Sequence, residues 1–214
     1  MIRHLTLSLA ADPIEQVEAD VVVVTFFGDD RPLRGNASRV DWRLCGRLSH
    51  LLAEDRVSGK VGDAVLVPTL GGMRAPLVIA LGLGPARAFD ARRCRAAARD
   101  AFERAHRLRA RSAALALLEL GGEEMGIGVR MDALLRGILG PTASDAAGDL
   151  ESFELQLVSA PEEQPAALEW LRSSRRRGLP AGVEIAVPDR EERRPRESPR
   201  ERPRSIRVDR PPVK

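Results

Sequence analysis

Cysteine is nearly absent: Cys45 and Cys94 are the only two in 214 residues, 49 positions apart. Two thiols so placed build neither a disulfide framework nor a zinc knuckle, and both are expected to be small core residues. Tyrosine is missing and aromatic residues make up 3% of the chain, which leaves few rings to stack on bases or an adenine. The three histidines, His4, His50 and His106, lie far from any Gly-x-Ser-x-Gly elbow, so no nucleophile and base can be paired. Each is expected at the surface or a strand edge. No apolar run approaches the roughly 20 residues of a membrane-spanning helix; the longest lie around Val21–Phe27 and Ala113–Leu118. Thr6 and Ser8 break the stretch Leu5–Ala11, leaving Leu5, Leu7 and Leu9 alternating as in a strand rather than a signal peptide. A cytoplasmic protein with no membrane contact is expected. Lysine is scarce as well, Lys60 and Lys214 alone among 34 basic residues, a coding skew given little functional weight.

Charge is unevenly spread. From Gly178 to Lys214 ten basic residues face seven acidic ones, the whole formal excess of +3, while residues 1–177 are balanced. That stretch also holds seven of the fifteen prolines and few large apolar residues after Val187, too few to offset the entropy of ordering it. The sequence therefore divides into a folded domain, 1–177, and a mostly disordered Pro/Arg/Glu-rich tail, 178–214. Acidic residues interleave the tail's arginines and no aromatic residue stands among them, which argues against nucleic acid as a partner. One short segment there, Val183-Glu184-Ile185-Ala186-Val187, alternates like a strand. Val183, Ile185 and Val187 could fill one face of an added strand, on this protein's own sheet or a partner's; otherwise the segment is linker.

Within the domain, strand-like runs occur at Ile2–Leu9, Asp20–Phe26, Asp63–Thr69, Pro76–Leu83, Ala113–Glu119 and Phe153–Ser159, several of them continuous Val/Leu/Ile as in strands buried on both faces. Helical periodicity predicts Ala37–Ala53 with Asn36 as cap, Ala91–Leu108 with Asp90 as cap, Gly126–Leu139 and Pro161–Arg177. The small inward residues of the second, Cys94, Ala98, Ala101 and Ala105, predict close packing on a sheet. The alternation implies a three-layer α/β domain with a mixed sheet flanked by helices.

No motif carries chemistry strongly. Gly82 and Gly84 close a turn between a strand and the helix capped by Asp90, where backbone N–H groups could meet a phosphate. A dinucleotide fingerprint would need a third glycine and an acidic residue at the end of the next strand, whereas the next strand here ends Leu118-Glu119-Leu120-Gly121 after a long helix. Gly121 and Gly122 mark a second strand end where α/β folds place ligands. Ser58-Gly59-Lys60-Val61 lacks the first glycine and the hydroxyl of a P-loop. The acidic pairs Asp29-Asp30 and Glu123-Glu124 have no His or Cys at ligand spacing, and a turn and a helix start explain them.

The order of several segments is more telling. Asp20–Phe27, Asp30-Arg31-Pro32-Leu33-Arg34-Gly35, Gly46-Arg47-Leu48 with Leu51-Leu52, and Ser58-Gly59-Lys60-Val61-Gly62-Asp63 are followed by Val78-Ile79-Ala80-Leu81-Gly82-Leu83-Gly84 with Phe89-Asp90, and by Ala133-Leu134-Leu135-Arg136-Gly137-Ile138-Leu139-Gly140. Together, over about residues 15–160, they resemble the N-terminal domain of the leucyl (cytosol) aminopeptidase family. That resemblance implies a macro-domain-like fold. It also implies that the family's two-metal chemistry, which belongs to a separate C-terminal domain, is not carried by these 214 residues. The segment Ala143-Ser144-Asp145-Ala146-Ala147-Gly148-Asp149-Leu150 imitates the catalytic signature Asn-Thr-Asp-Ala-Glu-Gly-Arg-Leu, but Ala147 and Asp149 stand where the ligand glutamate and the arginine belong. Asp145 alone cannot bridge two ions. The expectation is a non-catalytic relative of that domain, without cofactor or metal, acting as a binding, regulatory or assembly module. Its partner would be a protein of unknown identity, self-association included. The alternatives are a macro-domain-like binder of an ADP-ribose type nucleotide and an aminopeptidase component whose catalytic half lies on another chain.

Overall fold

The computed structural model describes residues 4–116, 125–140, 152–177 and 182–186, with the backbone alone at 175–177. Strand β1 (His4–Leu9) leads through a 3-10 turn at Ile14–Gln16 to β2 (Val21–Phe26). Two short helices, α1 (Gly35–Arg43) and α2 (Arg47–Ala53), precede β3 (Ala64–Pro68) and β4 (Leu77–Gly82). Then come α3 (Ala91–Arg107), β5 (Ser112–Ala116), α4 (Ile127–Ile138), β6 (Ser152–Leu157), α5 (Gln164–Arg177) and β7 (Val183–Ile185). The described residues form one mixed sheet in the order β3-β4-β2-β5-β6-β1-β7. Only the β3–β4 pairing is antiparallel; the others are parallel.

The valine run of β2 explains its central place. Val21, Val22, Val23 and Val24 are all buried, alternate residues serving opposite faces, as a strand covered on both sides requires. On one face Val21 and Val23 join residues of β1, β4, β5 and β6 under α3, α4 and α5. On the other, Val22, Val24 and Phe26 pack with Val78, Ala80 and Ala114 under α1, α2 and the 3-10 turn. A three-layer α/β architecture with a mixed sheet is therefore present, and the strand positions agree with the sequence reading to within a few residues.

The predicted helix over Ala37–Ala53 is two helices. Cys45 and Gly46 take left-handed φ of 55° and 79°, which glycine adopts at little cost and which ends a right-handed helix. Asp41 secures the break: its Oδ1 accepts the N–H groups of Leu48 (2.8 Å) and Ser49 (3.1 Å), free donors of the first turn of α2. The elbow turns Cys45 outward, so it is exposed and not a core residue, whereas Cys94 is buried. Asn36 is likewise no cap; it is buried within the first turn of α1, and Arg34 stands at the N-cap. Asp90 does cap α3, accepting the Arg93 N–H at 2.8 Å. Helix α5 begins at Gln164, later than the expected Pro161.

The small residues of α3 serve a second helix as well as the sheet. A Cβ placed on Gly137 of α4 would lie 2.3 Å from the Arg95 carbonyl oxygen and 3.0 Å from the Ala98 Cβ. The two helices thus meet backbone to backbone. Finally, β7 lies beyond position 177, where sequence placed the end of the domain: it pairs with β1, Val183 opposite Leu5 and Ile185 opposite Leu7.

Candidate functional site

The Gly82–Gly84 turn stands at the carboxyl end of β4, and its hydrogen bonds decide what it can do. The Gly82 N–H donates to the Asp63 carbonyl (2.7 Å), the Leu83 N–H to the Phe26 carbonyl (3.0 Å) and the Gly84 N–H to the Gly59 carbonyl (2.8 Å). The next donor, the Ala86 N–H, is taken by the Asp29 carboxylate at 2.9 Å. The donors a phosphate would need are bonded within the fold. Glycine is needed at 82 for a different reason: a Cβ there would lie 2.5 Å from the Lys60 carbonyl oxygen and 2.7 Å from the Gly59 Cα. The chain around Gly59 crosses the end of β4 at backbone contact, and Phe27 and Phe89 close the neighbouring space edge to face at 5.3 Å. The same crossing accounts for the P-loop-like words. Asp63 accepts both the N–H (2.5 Å) and the hydroxyl (2.8 Å) of Ser58, and these bonds hold its carboxyl below the ordinary aspartate range.

Other sequence candidates separate. Gly121, Gly122 and Asp145 lie outside the described residues, as does Val187. Val183 and Ile185 lie on β7, at the β1 edge of this chain's own sheet, with Ile185 buried. Gly182 and Ala186 extend the pairing, through Leu5 N–H to the Gly182 carbonyl (2.7 Å) and Ala186 N–H to the Leu7 carbonyl (2.9 Å). His50 is exposed and sits 3.2 Å from Glu54. His106, expected at the surface, is buried, because α3 carries it into the layer where Phe102 meets Phe153; burial holds its imidazole below the usual range. Among the described residues no group of three His, Cys, Asp or Glu side chains could hold a metal ion.

Two features were missed. Arg130, 2% exposed, forms a fork with Glu163 at the start of α5, Nη1 to Oε2 at 3.1 Å and Nη2 to Oε1. Its signal was its place in the inward stripe of Ile127, Arg130, Leu134 and Ile138, where arginine demands a buried partner. The second is a concentration of exposed apolar side chains. Leu66 (45% exposed) lies on β3, Val61 and Leu70 (92%) stand within three residues of its ends and Leu108 lines a groove with it, whereas Trp42 (76%) stands on α1 at the elbow; Val129 is the sixth such residue among those described. A groove of about 680 Å³ runs along β3 between Val65, Leu66, Leu70 and the α1–α2 elbow at Leu44, Cys45 and Arg47. A smaller one on the opposite face is lined by Ala64, Leu66, Arg104, Arg107 and Leu108. Trp42 carries the Arg43 guanidinium over its ring at 5.6 Å. The sequence signal was that Trp42 falls off the stripe of Val40, Leu44 and Leu48.

Residues 21–133 match the sequence model of the cytosol aminopeptidase family, N-terminal domain, which is more than half of the chain. The chain belongs to the cytosol aminopeptidase family. Among relatives of this family, a probable cytosol aminopeptidase of Sulfurihydrogenibium sp. is 29% identical over 86 residues. One of Xanthomonas oryzae pv. oryzae is 38% identical over 85 residues. Each alignment covers 40% of this chain and 17% of the relative, so the cytosol aminopeptidase relatives are matched over a small part of their length. In structure, the chain is similar to a tomato leucine aminopeptidase mutant, with TM-score 0.55 and 16% identity over 79% of this chain and 36% of that one. It is similar also to a macrodomain of Oceanobacillus iheyensis, with TM-score 0.59 and 11% identity over 80% of this chain and 93% of that one. Another mutant of that macrodomain, solved with ADPR, has TM-score 0.56.

Proposed function

We propose that these 214 residues act as a non-catalytic binding module of the cytosol aminopeptidase family, engaging a protein partner through the β3 side of the sheet. The observation that carries this reading is that four exposed large apolar side chains, Val61, Leu66, Leu70 and Leu108, lie on or next to β3, an edge strand among the described residues. Exposed large apolar side chains clustered at one edge mark interaction sites in soluble domains. A catalytic domain on another chain is one partner that would fit the family. The test is hydrolysis of leucyl amides by the purified 214-residue chain with manganese or zinc. No turnover is expected, and metal-stimulated turnover abolished by a chelator would overturn the reading.

A second reading, binding of an ADP-ribose type nucleotide, is favoured by the likeness to macrodomains, one of them solved with ADPR. The committed donors of the Gly82–Gly84 turn count against it. Thermal-shift titration separates the two. ADP-ribose should leave Tm unchanged under the first reading and raise it by mass action under the second.

A further inference from the structure

We infer that the occupant of the β3 edge is a second copy of this chain, joined antiparallel about a twofold axis through Leu66. The inference rests on the binding-module reading and names its partner. In the β3–β4 ladder the Gly82 N–H donates to the Asp63 carbonyl and the Thr69 N–H to the Pro76 carbonyl. Alternation along an antiparallel pair therefore points the N–H and C=O of Leu66 away from β4, toward the open edge. A residue with both groups free can exchange two hydrogen bonds with its own copy, each Leu66 donating to the carbonyl of the other.

One flank limits the ladder: Pro68 has no N–H to give. Such a blunted edge closes as a dimer and does not propagate as a fibre. Side chains then supply most of the affinity, Leu66 and Leu108 on one face of the joined sheet, Leu70 and the elbow residue Leu44 on the other.

Charge agrees with this occupant. Beside the smaller groove Arg107 pairs with Glu103 at 3.3 Å, one turn back on α3. Arg104, which lines the same groove, pairs with Asp100 at 2.7 Å, so the flank of α3 beside β3 carries both signs and a twofold image of it meets no surface of a single sign.

The experiment is sedimentation of the full chain together with a cross-link. Dimer should grow in over about 1 to 100 µM, the range for a small interface. Leu66→Glu, exposed in the monomer and facing its own copy in the dimer, should weaken association at least about tenfold without changing Tm at low concentration. In a Cys45→Ser background, Leu66→Cys places two thiols on a hydrogen-bonded pair whose Cα atoms stand about 5.5 Å apart, within disulfide reach. Mild oxidation with a glutathione redox buffer should give a covalent dimer, whereas Val129→Cys should not. A chain monomeric throughout this range, a dimer indifferent to Leu66→Glu, or Leu66→Cys and Val129→Cys cross-linking alike would overturn the inference. Each of those results leaves a heterologous partner open; leucyl amide turnover or an ADP-ribose shift would strike the binding-module reading itself.

Discussion

The sheet has two edges, and they are treated in opposite ways. At one, β7 lies parallel to β1 and buries Ile185, 3% exposed, so the chain covers that edge with its own later segment. At the other, β3 is paired on one side only among the described residues, with Leu66 exposed and apolar neighbours on both faces. An edge strand is a template for pairing, and a chain that closes one and only blunts the other leaves its capacity for association at the second. Under the binding-module proposal, partner choice in this domain belongs to the β3 side, including the α1–α2 elbow packed beside it.

The largest effect should come from the crossing that holds β3 in place. Gly82→Val forces side-chain atoms into the backbone of Gly59 and Lys60. A loss of about 3 kcal/mol or more is expected in the urea midpoint, since backbone cannot yield as a side chain can. Survival within about 1 kcal/mol would mean that the strand is not anchored there.

Next comes the closed edge. Ile185→Asp sets a carboxylate against Leu5 and Leu7, and the cost is bounded by what docking β7 contributes, about 2 kcal/mol. Hydrogen exchange should speed up from 182 to 186 while β2 and β4 stay protected. The matching change at the open edge, Leu66→Asp, should cost less than about 0.5 kcal/mol in the monomer. Equal costs at the two edges would erase the contrast between them.

Smaller still is a difference in reactivity. Cys94 is buried beneath α4 and burial pushes its thiol up to about 11, whereas Cys45 is exposed at the elbow. A maleimide should label Cys45 alone in the folded protein, and a bulky label there should hinder association at β3. Labelling of Cys94 at a comparable rate would show that the α3–α4 layer opens readily.

The smallest effect is with pH. Because burial lowers the His106 pKa below its value near 6.5 in the unfolded chain, both states are neutral above that pH. As pH falls through 6.5 the unfolded state takes up the proton first, so stability declines until the folded histidine titrates too. His106→Gln should flatten that segment of a urea-midpoint profile. Since Phe102 ties this layer to β6, acid should loosen the half of the sheet that carries β7.

Much of the sheet could be read from the amino acids. The strands β1, β2, β4 and β6 announce themselves by alternation or by unbroken Val, Leu and Ile, signals local to each segment. Their order could not be read, because the placing of β2 between β4 and β5 is set by pairings across the whole domain. The α1–α2 break was hidden because apolar periodicity runs through it. Gly46 marked the bend, but Asp41 reaching Leu48 and Ser49 is a contact that periodicity does not encode. Missing the bend also misplaced Cys45 and hid the exposure of Trp42. The Gly82–Gly84 turn was correctly placed on a strand end, yet what saturates its donors comes from Phe26, Gly59, Asp63 and Asp29, remote in sequence.

Where Gly59 crosses Gly82, the shape is specified by missing atoms. A Cβ on Gly59 would stand 2.7 Å from the Gly28 Cα, and one on Gly82 would meet Lys60 and Gly59 themselves, while the joining bonds run between main-chain groups that every residue other than proline possesses. Mutational drift should therefore be tightly restricted at these few positions and permissive at Lys60, an exposed residue whose main-chain role asks little of its side chain. A junction defined by vacancy can outlast the loss of nearly every recognisable letter around it.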